Sequence, residues 1–154
     1  MALEIEFANN GILDSLTGSP AQSVFLKQLR QAISRTDRSG AALSILTLRL
    51  SKDLRLSKDI ARVKSDEIKD RSLDLIAIAQ ILKSSIRGGD FYTRMSQLGF
   101  WICLHGDSSE AEIAVKRFRD GLDGLKSAVT FEIFELDKSA PLARWIDEID
   151  KSYF

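Results

Sequence analysis

Val24, Phe25, Leu29 and Ile33 recur at helical spacing until Ser39-Gly40 breaks the run. This stripe predicts an amphipathic helix entered through Ser19-Pro20, a cap candidate followed by a proline suited to a first turn. Residues 41–50 are apolar, and Leu46, Leu48 and Leu50 alternate with Thr47 and Arg49, as in a strand with one face in a core. From Ser65 the apolar spacing returns to three and four through Ile68, Leu75, Ile76, Ala79, Leu82 and Ile86, with Asp66 and Glu67 favourable near a helix start. Two short apolar runs, 91–95 and 100–104, flank residues 96–99 and predict a hairpin. Ser108 or Ser109 is the cap candidate of a helix through Ala114, Phe118 and Leu122 that ends near Gly124. Residues 128–136 predict a last strand, and a final helix opens near Pro141.

After the first helix the order is β-α-β-β-α-β with a closing helix, the split β-α-β arrangement of ferredoxin-like and cyclase-palm folds. An α+β sandwich is expected, with residues 1–154 read as a single domain long enough to bury a core. This topology hosts many functions, so function has to be argued from the site. RLSKDL at 49–54 is followed at once by RLSKDI at 55–60, a small duplication that lengthens the connection into the long helix.

Lys plus Arg number 22 and Asp plus Glu number 22, so no net field exists to hold nucleic acid or an anionic membrane. Any anion binding must be local. No apolar run reaches bilayer length, and MALEIEF has neither a basic start nor a long apolar stretch. A soluble cytoplasmic protein is expected, with neither nucleic acid nor membrane among its partners. Cys103 and His105 are the only residues of their kinds, which excludes an intrachain disulfide and a cysteine or histidine metal cluster. Cys103, in an apolar strand, is expected to be a buried, inert thiol. His105 is expected to be a solvated strand-end residue.

Residues 82–104, LKSSIRGGDFYTRMSQLGFWICL, carry the most information. Gly88-Gly89-Asp90-Phe91 looks like a signature turn, but it precedes the hairpin. Gly88 and Gly89 follow the periodicity ending at Ile86 and read as helix-terminating residues. The spacing Leu82, Arg87, Asp90, Arg94, then Ser96, Gln97, Leu98, Gly99 and Phe100, resembles the LxxxxRxxDxxxRxGGDEF segment of diguanylate cyclases. Asp14, Leu16, Thr17 and Gly18, with Phe25 beyond, are similar to the DxLTGLxNRRxF opening of GGDEF domains, and WIDEIDKSYF at 145–154 to their LLxxADxALY closing segment. The resemblance extends over nearly the whole chain.

What the resemblance implies is a degenerate GGDEF domain with no catalytic residues and no cofactor. In active members an Asp of the first strand and the third signature residue hold two metal ions on GTP. Thr47 and Leu98 stand at these positions, and neither replaces a carboxylate around a hard cation, so no metal is expected. Ser96 and Gln97 bring side chains where paired glycines let the nucleotide approach the backbone. The guanine-selecting Asn corresponds to Arg55, the GHxxGD turn to a lysine-rich stretch before Leu73, and a phosphate-side lysine to Lys52.

Arg87 and Asp90 keep the RxxD of the family's inhibitory site, where cyclic di-GMP is held by arginines and an Asp. Arg117 or Arg119 stands near the further arginine on the next helix. Arginine suits this role because its planar fork bonds bidentately and its face stacks on a base. The same two residues also suit a plain helix-end ion pair of little energetic worth. Arg94 is read as structural, paired with Asp14. Two functions follow: a non-catalytic cyclic di-GMP receptor that signals to a protein partner, or an interaction module that keeps the fold without the nucleotide.

Overall fold

The computed structural model describes residues 5–51, 60–139 and 141–153. Its elements are α1 (Gln22–Ser39), β1 (Ser44–Leu50), α2 (Ile60–Ser85), β2 (Phe91–Ser96), β3 (Gly99–Leu104), α3 (Ser108–Gly121), β4 (Val129–Glu135) and α4 (Leu142–Tyr153). The strands form one sheet in the order β2-β3-β1-β4, with every neighbouring pair antiparallel. The expected α+β sandwich is the one observed.

Strand periodicity sorts the core into two halves. Leu46, Leu48 and Leu50 of β1 and Phe100, Ile102 and Leu104 of β3 pack against Leu75, Ile78 and Leu82 of α2 and Ala114 and Phe118 of α3. On the opposite face Ile45, Phe91, Trp101 and Cys103 meet Phe25 and Leu29 of α1 and Trp145 and Ile149 of α4. Because helices cover both faces, β3 is apolar at every position instead of alternating with polar residues. Among the described residues no helix is long and apolar enough to cross a membrane.

Element ends depart from the sequence expectations where backbone conformation outweighs residue type. Ala21, not Ser19, occupies the α1 N-cap and offers no side-chain bond, while the Ser19 carbonyl accepts the Asp14 N–H at 2.7 Å. Helix α2 starts at Ile60, so Glu67 lies beyond the first turn and pairs instead with Arg71 at 2.9 Å, one turn on. The hairpin turn is tighter than expected: Ser96 and Gly99 pair as strand residues, and a register shift between Arg94 and Ser96 absorbs the extra residue. Lys52, Arg55 and most of the 49–60 duplication lie outside the described residues.

Helix α3 is capped by Asp107 rather than by Ser108 or Ser109. Asp107 has extended backbone angles, and its carboxylate accepts the Glu110 N–H at 3.0 Å, while both serines are already helical. Asp107→Ala is expected to lower stability by about 1 kcal/mol in urea denaturation, against a near-zero change for Ser109→Ala.

Candidate functional site

The glycine pair 88–89 lies in the connection from α2 to β2, away from the hairpin tip at Gln97 and Leu98. Asp90 N–H donates to the Arg87 carbonyl at 3.0 Å, closing a tight turn. Gly89 sits at φ 94°, a left-handed conformation that favours glycine at this turn position. The RxxD spacing is thereby bent, so that Arg87 and Asp90 flank one surface cleft.

That cleft is about 90 Å³ and is lined by Arg87, Asp90, Leu104, His105, Glu110, Ile113, Ala114 and Arg117. The helix-end ion pair is not made: the Asp90 carboxylate turns to β3, where its Oδ1 accepts the His105 N–H at 3.0 Å and lies 3.2 Å from His105 Nδ1. Among the described residues no carboxylate pairs with Arg87, and Asp90 Oδ2 has no bonded donor. Arg117 Nε is buried without an acceptor, and its guanidinium lies 5.2 Å from the Phe118 ring centre. Two arginines and one carboxylate oxygen thus reach the cleft with hydrogen-bonding capacity unspent.

Arg119 is not part of this group. Its guanidinium lies 4.8 Å from the ring centre of Phe131 on β4. Cys103 is buried, and desolvation, followed by the nearby Asp90 charge, pushes its thiol far above the usual range. Its burial is as expected, and a thiol kept protonated in this way is a poor nucleophile.

Thr47 and Leu98 do not meet. Thr47 is buried opposite Trp101 and Glu132, on the face that carries Ile45. Leu98 packs against the other half of the core, and its carbonyl accepts the Leu50 N–H at 2.8 Å. Leu50 is three residues along β1 from Thr47, so the two positions are separated by roughly 10 Å of strand as well as by the sheet.

A family model described as diguanylate cyclase, GGDEF domain, matches residues 11–140. The chain belongs to the GGDEF domain family. A comparison with curated proteins returned no match. The diguanylate cyclase SiaD from Pseudomonas aeruginosa, solved with its activator SiaC, matches at a TM-score of 0.70 and 20% identity over 90% of this chain and 55% of SiaD. This GGDEF domain therefore spans about half the length of the SiaD chain. A microbial GGDEF domain solved for its interaction mode with cyclic di-GMP matches at 0.73 and 13% identity, over 91% of this chain and 86% of that one. The GGDEF domain of DgcB from Caulobacter crescentus, in complex with cyclic di-GMP, matches at 0.72 and 11% identity, over 94% and 88%. At these identities the likeness establishes the fold.

In this GGDEF domain the opening motif and the arginine before the signature turn form one buried unit. Arg94 Nη1 lies 3.3 Å from both Asp14 carboxylate oxygens, and Nη2 donates to the Gln97 carbonyl at 2.8 Å. Asp14 Oδ2 also accepts from Thr17 N–H at 2.9 Å and Thr17 Oγ1 at 2.7 Å. Gly18, at φ 72°, lets the chain turn back, and its N–H donates to the Asp14 carbonyl at 2.9 Å. The unit ties the N-terminal segment to the hairpin turn.

His105 is a solvated strand-end residue, its side chain 37% exposed, and it is also the partner of Asp90. The trace in the sequence is slight: both residues lie just beyond the hairpin strands, but the register pairs Phe91 with Cys103 and carries Asp90 to Leu104, one residue short of His105. Glu110 left no comparable trace, because it reaches the cleft only through the packing of α3.

Proposed function

We propose that this GGDEF domain is catalytically silent and acts as a receptor for cyclic di-GMP, held at Arg87, Asp90 and Arg117, with the bound state passed to a partner protein. The observation that carries this reading is the convergence of Arg87, Arg117 and Asp90 on one cleft, where Asp90 Oδ2 has no bonded donor among the described residues. Arginine forks suit the phosphates and the acceptor edge of guanine, and Asp90 Oδ2 suits the guanine N–H donors. His105 fixes the other Asp90 oxygen and so orients the carboxylate. At about 90 Å³ the cleft takes a base edge or a phosphate and leaves the rest of the dinucleotide on the surface. A shallow seat of this kind, far below the roughly 300–1,000 Å³ of enclosing ligand pockets, suits micromolar or weaker binding. Solved relatives that hold cyclic di-GMP add support.

Calorimetric titration of the purified chain with cyclic di-GMP tests the receptor reading: a saturable heat is expected. Its absence at high ligand concentration would leave the nucleotide-independent interaction module, which the apolar cleft between α1 and α4 favours.

Loss of catalysis rests on Thr47 and Leu98, neither of which supplies a charged oxygen for a metal. No cyclic di-GMP is expected from GTP with magnesium or manganese. The double substitution Thr47→Asp, Leu98→Asp is also expected to be inactive, since the new carboxylates would point to opposite sides of the sheet. Product above the blank from the parent chain would overturn the inactive assignment.

A further inference from the structure

We propose that the cleft between α1 and α4 is a docking groove for an amphipathic helix of a partner protein, one carrying lysine or arginine beside its apolar stripe. The cleft measures about 590 Å³, with an apolar floor that includes Leu26, Leu29, Leu142 and Ile146. Leu26 is 36% exposed although it lies on the helix whose neighbours Phe25 and Leu29 are buried. Residues of α4 from Leu142 to Asp150 form one wall, so the lined groove runs about 12 Å, a little over two helical turns. An apolar channel walled by two helices is the shape that helix-in-groove recognition uses.

Charge selects the kind of helix. Asp147 and Asp150 line the α4 wall and Arg30 the α1 wall. Among the described residues Asp147 pairs only with Lys151, at 3.5 Å, and both side chains are largely exposed, so that pairing is easily exchanged. Asp150 has no ion-pair partner among the described residues. Burial, then the Asp147 charge, raises its carboxyl above the ordinary range. A cation delivered alongside an apolar side chain relieves that repulsion while filling the floor.

A lipid headgroup or other anion would meet the two carboxylates unfavourably, and a neutral apolar molecule would leave them unpaired. Among the described residues a second copy offers no matching element: the remaining exposed large apolar residues there are Phe7, Ile12 and Leu13, outside the helices, and Leu73 and Ile113, single on α2 and α3. The proposal is independent of cyclic di-GMP binding.

The test uses the full chain, labelled with nitrogen-15, and two synthetic peptides of about four turns. Both carry the same leucine stripe, flanked by lysine in one and by glutamate in the other. The lysine peptide is expected to shift the amides of residues 26–30 and 142–150, and the glutamate peptide to leave them unmoved. Reversing the wall with Asp147→Lys, Asp150→Lys is expected to weaken the lysine peptide about tenfold or more and to admit the glutamate peptide. If the reversed chain does not fold, Leu26→Glu takes its place and is expected to abolish the shifts. Equal binding of both peptides, shifts elsewhere on the surface, or sedimentation showing the groove filled by a second copy would overturn the proposal.

Discussion

Asp14→Ala is expected to cost about 3–5 kcal/mol of stability, read as a lower urea midpoint with an unchanged slope. The Arg94 side chain is fully buried and that of Asp14 is 4% exposed. Truncating the aspartate would remove a buried carboxylate partner from a guanidinium that cannot lose its proton. The Phe7 ring, 4.9 Å from that guanidinium, offers a cation–π contact that does not replace a carboxylate. Thr17 would lose its acceptor in the same step. The double variant Asp14→Ala, Arg94→Met is expected to recover part of the loss, because removing both charges leaves no orphan. An unchanged midpoint for Asp14→Ala would show that the pair contributes nothing net.

Arg87→Ala and Arg117→Ala are each expected to weaken cyclic di-GMP binding by about tenfold to a hundredfold, since each removes one partner of a charge-assisted hydrogen bond. Arg119→Ala is the internal control, being engaged with Phe131 away from the cleft. It is expected to bind like the parent. His105→Ala is expected to fall between these, because Asp90 keeps its charge and the His105 N–H while losing the ring that orients it. Calorimetry on the four variants separates the outcomes. Equal losses from Arg117→Ala and Arg119→Ala would mean that the ligand lies elsewhere on α3.

The order of elements was legible because its cause is local. The three-and-four spacing through Leu75, Leu82 and Ile86 belongs to a helix whatever it packs against, and an apolar run between turn residues belongs to a strand. The hairpin frame and the RxxD spacing were legible for the same reason. Helix caps were less so: Asp107, Ser108 and Ser109 are all competent caps by type, and backbone angles decide which one turns the chain.

Pairing across the molecule was not legible in that way. Arg117 and Arg119 are two residues apart on α3, hence about 200° apart around its axis, and only the way α3 lies on the sheet determines which reaches the cleft. The sequence reading sets Thr47 and Leu98 at two positions that would share a metal, whereas strand register turns them to opposite faces. Asp90 and Arg87 are close enough in sequence to suggest an ion pair, and the hairpin gives Asp90 to His105 instead. Sequence by itself determined which elements form, in what order, and which chemical groups they carry, because propensity and periodicity act over a few residues. The tertiary structure alone decided which of those groups share a face, because a shift of one residue in register, or of a fraction of a turn in a helix, exchanges the buried side for the exposed one.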